Sequence, residues 1–203
     1  MVQALLYVLG YHQDLMKVDR FILTGPPGAG KTTIVRQLAE EGFATVDEAA
    51  TEVIAAWKLK GIDDVWRYPS FVDVIVETQR QRQVNLGNSA GIQFYDRSPI
   101  CTLALAEWVG HPVSDALRIE IARIHAERVY RPEVFFVRGL GFMTPTEARR
   151  ISLADSIRFG EVHERAYLAH GFQLIYIDSA RAVQRVESIK RYIESWSNRG
   201  PGH

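Results

Sequence analysis

Two kinds of apolar pattern alternate along the chain. Short continuous apolar runs, "RFILTG", "FATV", "GIQFYD", "EVFFVR" and "FQLIYID", each lead into glycine or a charged residue. Runs of that length without polar alternation fit strands buried on both faces. Between them lie longer stretches with apolar residues three and four apart: "KTTIVRQLAEEG", "EAATEVIAAWKLKG", "FVDVIVETQRQRQVNLG", "DALRIEIARIHAERVY", "SLADSIRFGEVHERAYLAHG" and "ARAVQRVESIKRYIESW". That spacing predicts helices. Gly42, Gly61 and Gly171 stop three of them, and Pro69 and Ser70 stand at the start of a fourth. Ser152 with Asp155 three residues on resembles a capping box. Leu117, Ile121, Ile124 and Ala126 fall broadly on one side of their helix. The pattern assigns no element between Arg97 and Ser114, and "IDDVWRYPS" reads as a loop.

Strands alternating with helices in this way predict an α/β fold: a five-stranded parallel sheet flanked by helices, with right-handed crossovers. Ligands of such sheets sit at the carboxyl ends of the strands. The residues just after each strand therefore carry the functional information.

Composition narrows the picture. The 203 residues suit one domain, with 47% apolar and 24% charged positions. Lys plus Arg equals Asp plus Glu at 24 each. That balance argues against a nucleic-acid partner held by bulk charge. The single cysteine, Cys101, excludes an internal disulfide, and no histidines stand at zinc spacing. A cytoplasmic location fits, and Cys101 reads as a small buried apolar residue. The apolar run from Ala4 to Gly10 is too short to span a membrane and lacks the flanks of a signal peptide. No membrane partner is expected. Residues 1–17 read as an N-terminal extension; within it, 1–15 are a docking helix, or translation starts at Met16. The domain is expected over 18–196, with a disordered tail at 197–203 and a monomer or dimer as the assembly.

The chemistry starts with "TGPPGAGKTT". Gly25, Gly30, Lys31 and Thr32 satisfy G-x-x-x-x-G-K-[ST]. In such a loop glycines let successive N–H groups turn toward phosphate oxygens, and the following helix adds its positive end. The loop, Gly25, Pro26, Pro27, Gly28, Ala29, Gly30, Lys31, Thr32 and Thr33, is thus the expected ATP site. Lys31 should reach the β- and γ-phosphates, and the Thr32 hydroxyl should ligate Mg2+. The fold expected is a P-loop nucleoside triphosphate hydrolase of the kinase type, strand order 2-3-1-4-5.

Two strands end in acids, at Asp47-Glu48 and at Asp96. The first pair follows the first helix almost at once, which in phosphate-loop kinases places its strand one position away from the loop. Asp96 is then the better Mg2+ partner. Arg97 follows it, where a hydrolase would place an acid to polarise water, so a phosphotransferase is favoured over a dedicated hydrolase.

In the order TGPPGAGKTT, VDEAATEVI, FYDRS and an arginine-bearing segment before "AYLAHGFQLIYID", the chain resembles the small AAA-domain predicted ATPases. These group with the ribosylnicotinamide kinase domain of bacterial NAD regulators and with a fly phototransduction translocation protein. The resemblance covers about residues 18 to 195. One departure stands out: Thr51 occupies a position where the family usually has arginine after "EAA". "YDRS" also resembles the DR or ERS turn of thymidylate and deoxynucleoside kinases, which implies Mg2+ service for the acid and a phosphate- or substrate-orienting role for Arg97. The same resemblance implies a substrate-side base at the end of the second strand, Glu48 before Asp47. It implies a mobile lid around 139–165 whose arginines cover the γ-phosphate, with Arg149 and Arg150 as first candidates and Arg158 next. Trp66, Arg67 and Tyr68 read either as an acceptor clamp or as loop packing, and Tyr167 as core. The expected activity is transfer of the γ-phosphate of ATP to a small-molecule, nucleoside-like hydroxyl. The alternative is a nucleotide-dependent switch or slow ATPase that binds a protein or lipid. A GTPase is disfavoured because no N-K-x-D motif occurs, and a ring-forming motor because 203 residues are too few for the usual small helical domain after the sheet.

Overall fold

A computed structural model of the chain describes residues 18–87, 91–140 and 151–198. Each apolar run becomes a strand: β1 Asp19–Thr24, β2 Ala44–Val46, β3 Ile92–Asp96, β4 Glu133–Val137 and β5 Gln173–Ile177. All neighbouring pairs are parallel, in the order β2-β3-β1-β4-β5. This is the expected 2-3-1-4-5 sheet. The helices are α1 Lys31–Glu40, α2 Ala49–Leu59, α3 Ser70–Leu86, α4 Pro99–Val109, α5 Asp115–Ala126, α6 Leu153–Ala169 and α7 Ala182–Ser197.

Side chains along each strand alternate between the two faces. Phe21, Leu23, Phe94 and Phe135 share one core with Ile34 and Leu38 of α1 and Ile189 of α7. Ile22, Tyr95 and Val134 face the other way, toward Val76 of α3, Ile100 of α4, Ile121 of α5 and Phe159 of α6. Helices thus cover both faces, which is why these strands lack polar alternation. Each side chain as fully buried as Phe21 or Ile22 adds roughly 2 kcal/mol. A smaller cluster, Val53, Val65, Phe71 and Ile75, ties α2 to α3 and to the short 3-10 turn Val65–Arg67.

Two details depart from the sequence pattern. Helix α4 lies where no element was assigned. Its sequence, PICTLALAEWV, is apolar nearly all round and buries Pro99, Ile100, Cys101, Thr102, Ala104 and Ala106. A helix packed on several sides shows no polar stripe for periodicity to find. In α5 the inward face is Leu117, Glu120, Ile121 and Ile124, and Ala126 is exposed. Glu120 is buried because Arg123 pairs with it at 2.7 Å.

Strand register brings the functional ends together. Leu23 lies beside Asp96 and Val46 beside Tyr95. The glycine loop after β1, the acids after β2 and Arg97 after β3 therefore open side by side. The expected extension at 1–17 lies outside the described residues, as do 199–203; α7 runs through Ser197. Of the segment expected as a lid, the part from Leu153 onward forms most of α6, with Ser156, Phe159, Gly160 and His163 buried. Among the described residues no helix is long and apolar enough to cross a membrane.

Candidate active site

β1 ends at Thr24 and the chain turns at once. Gly25 has φ near 128°, and a Cβ there would lie 2.2 Å from the Val137 carbonyl oxygen, so only glycine fits. The loop passes Pro26, Pro27, Gly28 and Ala29 to Gly30, which caps α1 in the left-handed region with φ 87°. The first turn of α1 begins at Lys31 and leaves backbone N–H groups at the loop. Lys31 bends back, its Nζ donating to Gly25 O at 3.1 Å and Pro26 O at 2.9 Å. An ammonium has three donors, so one is left for an incoming anion. Lys31 is only 6% exposed. Burial, aided by the nearby Arg97 charge, pushes its ammonium down to about 8 against the opposing pull of Asp96 and Glu48.

Asp96 stands opposite the first turn of α1. The Thr32 hydroxyl donates to Asp96 Oδ2 at 3.1 Å. Asp96 Oδ1 is buried and has no hydrogen-bond partner among the described residues. Burial pushes this carboxyl up, with Lys31 opposing. A hydroxyl and a carboxylate with an unsatisfied oxygen form a hard-oxygen donor set, the kind that suits Mg2+. An orphaned buried carboxylate oxygen is costly unless a cation or donor meets it. The donor set therefore fits the metal.

Arg97 joins Glu48 to α6. Its Nε donates to Glu48 Oε1 at 2.5 Å, and its Nη1 lies 2.8 Å from His163 Nε2. His163 Nδ1 lies 2.8 Å from the Phe159 carbonyl, which can only accept. The ring is thus the neutral Nδ1–H form, and Nε2 accepts from Arg97. Burial works against the charge of Arg97, and Glu48 and Asp96 among its neighbours together outweigh it, so the guanidinium stays charged. Burial would raise Glu48, but Arg97 and Lys31 hold its carboxyl below the usual range. Thr51 donates to Glu48 Oε2 at 3.1 Å. Arg97 also has φ 77°, a strained conformation for a non-glycine residue that costs about 1–3 kcal/mol. Its backbone N–H is secured on Leu23 O at 3.0 Å. Behind the loop, Tyr167 OH meets Ser98 Oγ at 2.7 Å and Cys101 Sγ at 3.1 Å, and Cys101 Sγ meets Thr24 Oγ1 at 3.3 Å.

The structure thus gathers Lys31, Thr32, Glu48, Asp96 and Arg97, drawn from three strand ends, into one cluster. Thr33 follows on α1 and is exposed. Asp47 is exposed, and its carbonyl accepts from Arg82 at 2.7 Å. Trp66 packs edge-on against Phe71, Tyr68 against Trp57, and Arg67 pairs with Asp64 at 2.6 Å. These contacts are those of loop packing. Arg158 pairs with Asp155 on the exposed side of α6. Arg149 and Arg150 lie outside the described residues. His163 escaped the sequence reading. Its one signal was its place on the Phe159–Tyr167 stripe of α6, where a histidine stands among apolar and small residues.

Comparison with known proteins agrees with this architecture. A family model described as "AAA domain" matches residues 20–185. A NadR protein in complex with NR superposes with a TM-score of 0.63 at 21% identity, over 86% of this chain and 50% of that one. A NadR protein in complex with NAD and AMP-PNP gives 0.65 at 20% identity, over 86% and 49%. The chain thus spans about half the length of the NadR chains. A deoxyadenosine kinase from M. mycoides with bound dATP gives 0.56 at 16% identity, over 87% of this chain and 99% of that one. At such identities the likeness speaks to the fold. No curated protein matches the chain.

Proposed function

The chain belongs to the AAA-domain family, and on that premise we propose that it binds ATP with Mg2+ and transfers the γ-phosphate to a small-molecule, nucleoside-like hydroxyl. The observation that carries this reading is the pairing of Thr32 with Asp96, whose second carboxylate oxygen is buried and unpartnered beside the phosphate loop. Thr32 and Asp96 would hold Mg2+, which when bound neutralises charge on the β- and γ-phosphate oxygens. The loop amides and Lys31 hold the triphosphate. Glu48 lies on the acceptor side, bound to Arg97 and Thr51. A carboxylate held below its usual range is a weak base. Glu48 therefore orients the acceptor hydroxyl at one oxygen and takes its proton late, as the hydroxyl bonds to phosphorus. A loose transition state for phosphoryl transfer asks for no more. Arg97, fixed by His163, sets the position of Glu48 and lends positive charge to the transferring group. Arg149 and Arg150 remain candidates for covering that group.

A nucleotide-dependent switch is the second reading. It is favoured by the ion pair that occupies Glu48 Oε1, a base already engaged without acceptor. Release of ADP from ATP and Mg2+ separates the two. The kinase reading expects release to rise at least about tenfold with one member of a panel of nucleosides and small alcohols. A flat panel with tight ATP binding supports the switch and counts against transfer.

A further inference from the structure

The phosphate loop is held from outside as well as from within. Two of its carbonyls take donors from helices 129 and 156 residues further along the chain. Ser156 of α6 donates its hydroxyl to Pro27 O at 2.7 Å. Arg185 of α7 donates Nη1 to Ala29 O at 2.5 Å and Nη2 to Arg138 O at 3.1 Å. Gly160, one turn beyond Ser156, lets α6 approach this closely, because a Cβ there would meet Pro26 at 3.1 Å.

Arg185 is 2% exposed, and its Nε is buried without a hydrogen-bond partner among the described residues. Among the described residues no carboxylate is paired with it. A buried guanidinium without a counter-charge is costly, and packing alone would be served by methionine or leucine. An anion on the far side of the loop would supply the missing compensation.

Carbonyl and N–H of one trans peptide unit point in opposite directions. No cis bond occurs among the described residues. Drawing Pro27 O toward α6 turns the Gly28 N–H away from α6. Drawing Ala29 O toward α7 turns the Gly30 N–H away from α7. We propose that Ser156 and Arg185 are positioning residues that preset the Gly28 and Gly30 N–H groups for a polyphosphate, with Arg185 adding an uncompensated positive charge behind the loop. This rests on the nucleotide reading above and extends the binding machinery to two helices outside the motif.

Calorimetric titration of inorganic tripolyphosphate tests it in the wild-type chain, Ser156→Ala and Arg185→Met, each well below its own melting midpoint. Ser156→Ala should weaken binding about tenfold with its salt dependence unchanged. Arg185→Met should weaken it further and also flatten the salt dependence, because a charge has gone. A merely structural role would not separate the two variants in this way. Wild-type affinity in both variants overturns the inference and leaves the nucleotide reading standing. Absence of wild-type binding to both tripolyphosphate and ATP overturns the nucleotide reading and this inference with it. Where Arg185→Met does not fold, the affinity of Ser156→Ala decides the matter alone.

Discussion

Arg97 holds a left-handed backbone conformation while its guanidinium is clasped between Glu48 and His163. The clasp depends on a neutral histidine, since both ring nitrogens are committed: Nδ1–H to the Phe159 carbonyl, Nε2 to Arg97. Burial first, then the charges of Arg97 and Lys31, keep His163 well below its ordinary value. The unfolded chain protonates this histidine near pH 6.5, whereas the folded chain does not, so the unfolded state binds the extra proton below about that pH. Stability therefore falls as pH drops through that range. His163→Gln carries no such proton, and its acid limb should be shallower, by about 1.4 kcal/mol one pH unit below the unfolded value. Urea unfolding at about pH 7.5 and about pH 5.5 checks this, and parallel losses in both chains would contradict it. Legibility at this scale followed contiguity. Lys31 and Thr32 stand in one unbroken motif, and Asp96-Arg97 closes an apolar run. His163 meets Arg97 from 66 residues away, a meeting that only packing creates. Arg185 was half legible: it shares a stripe with Ile189 and Ile193, so periodicity points it inward, but nothing local names the loop carbonyl it finds.

Among the elements, α4 is the one that hydrophobic period missed and end signals marked. Ser98 caps it by accepting the Ile100 N–H at 3.2 Å, Pro99 follows at the first turn, and Gly110 ends it in the left-handed region. These are ordinary start and stop residues. An interior apolar on nearly all sides hid the helix between them. Ser98 also binds the buried Tyr167 hydroxyl, so it ties the cap of α4 to α6. Ser98→Ala should destabilise the chain by about 1–3 kcal/mol, combining a lost cap with a weakened buried hydroxyl pair. A lower urea midpoint at unchanged slope is the expected result; an unchanged midpoint would contradict this role. Helix α6 is the opposite case. Its period and its Ser152 cap were plain in sequence, yet its buried face turned out to serve the loop as much as the core.

For the molecule as a whole, strand order was legible through the resemblance to phosphate-loop kinases, in which the strand after the first helix lies one place away from the loop, and the register of Leu23 with Asp96 puts β3 beside β1 as that resemblance implies. The acceptor was not legible, because Glu48 and its neighbours in sequence name no particular hydroxyl; in the fold Arg82, which reaches the Asp47 carbonyl, is already paired with Glu52. The proposed function needs a triphosphate site centred on Lys31 at the carboxyl end of this sheet. A ligand bound only by the folded state raises its stability, by about 2.7 kcal/mol at a hundredfold excess over Kd. For a domain of this size that corresponds to a rise in Tm of roughly 5 °C or more. The most direct measurement is the Tm of the wild-type chain and of Lys31→Ala, each with and without ATP and Mg2+. A rise of that size is expected in the wild-type chain and little or none in Lys31→Ala, with both chains folded beforehand. No rise in the wild-type chain, or the same rise in Lys31→Ala, would contradict it.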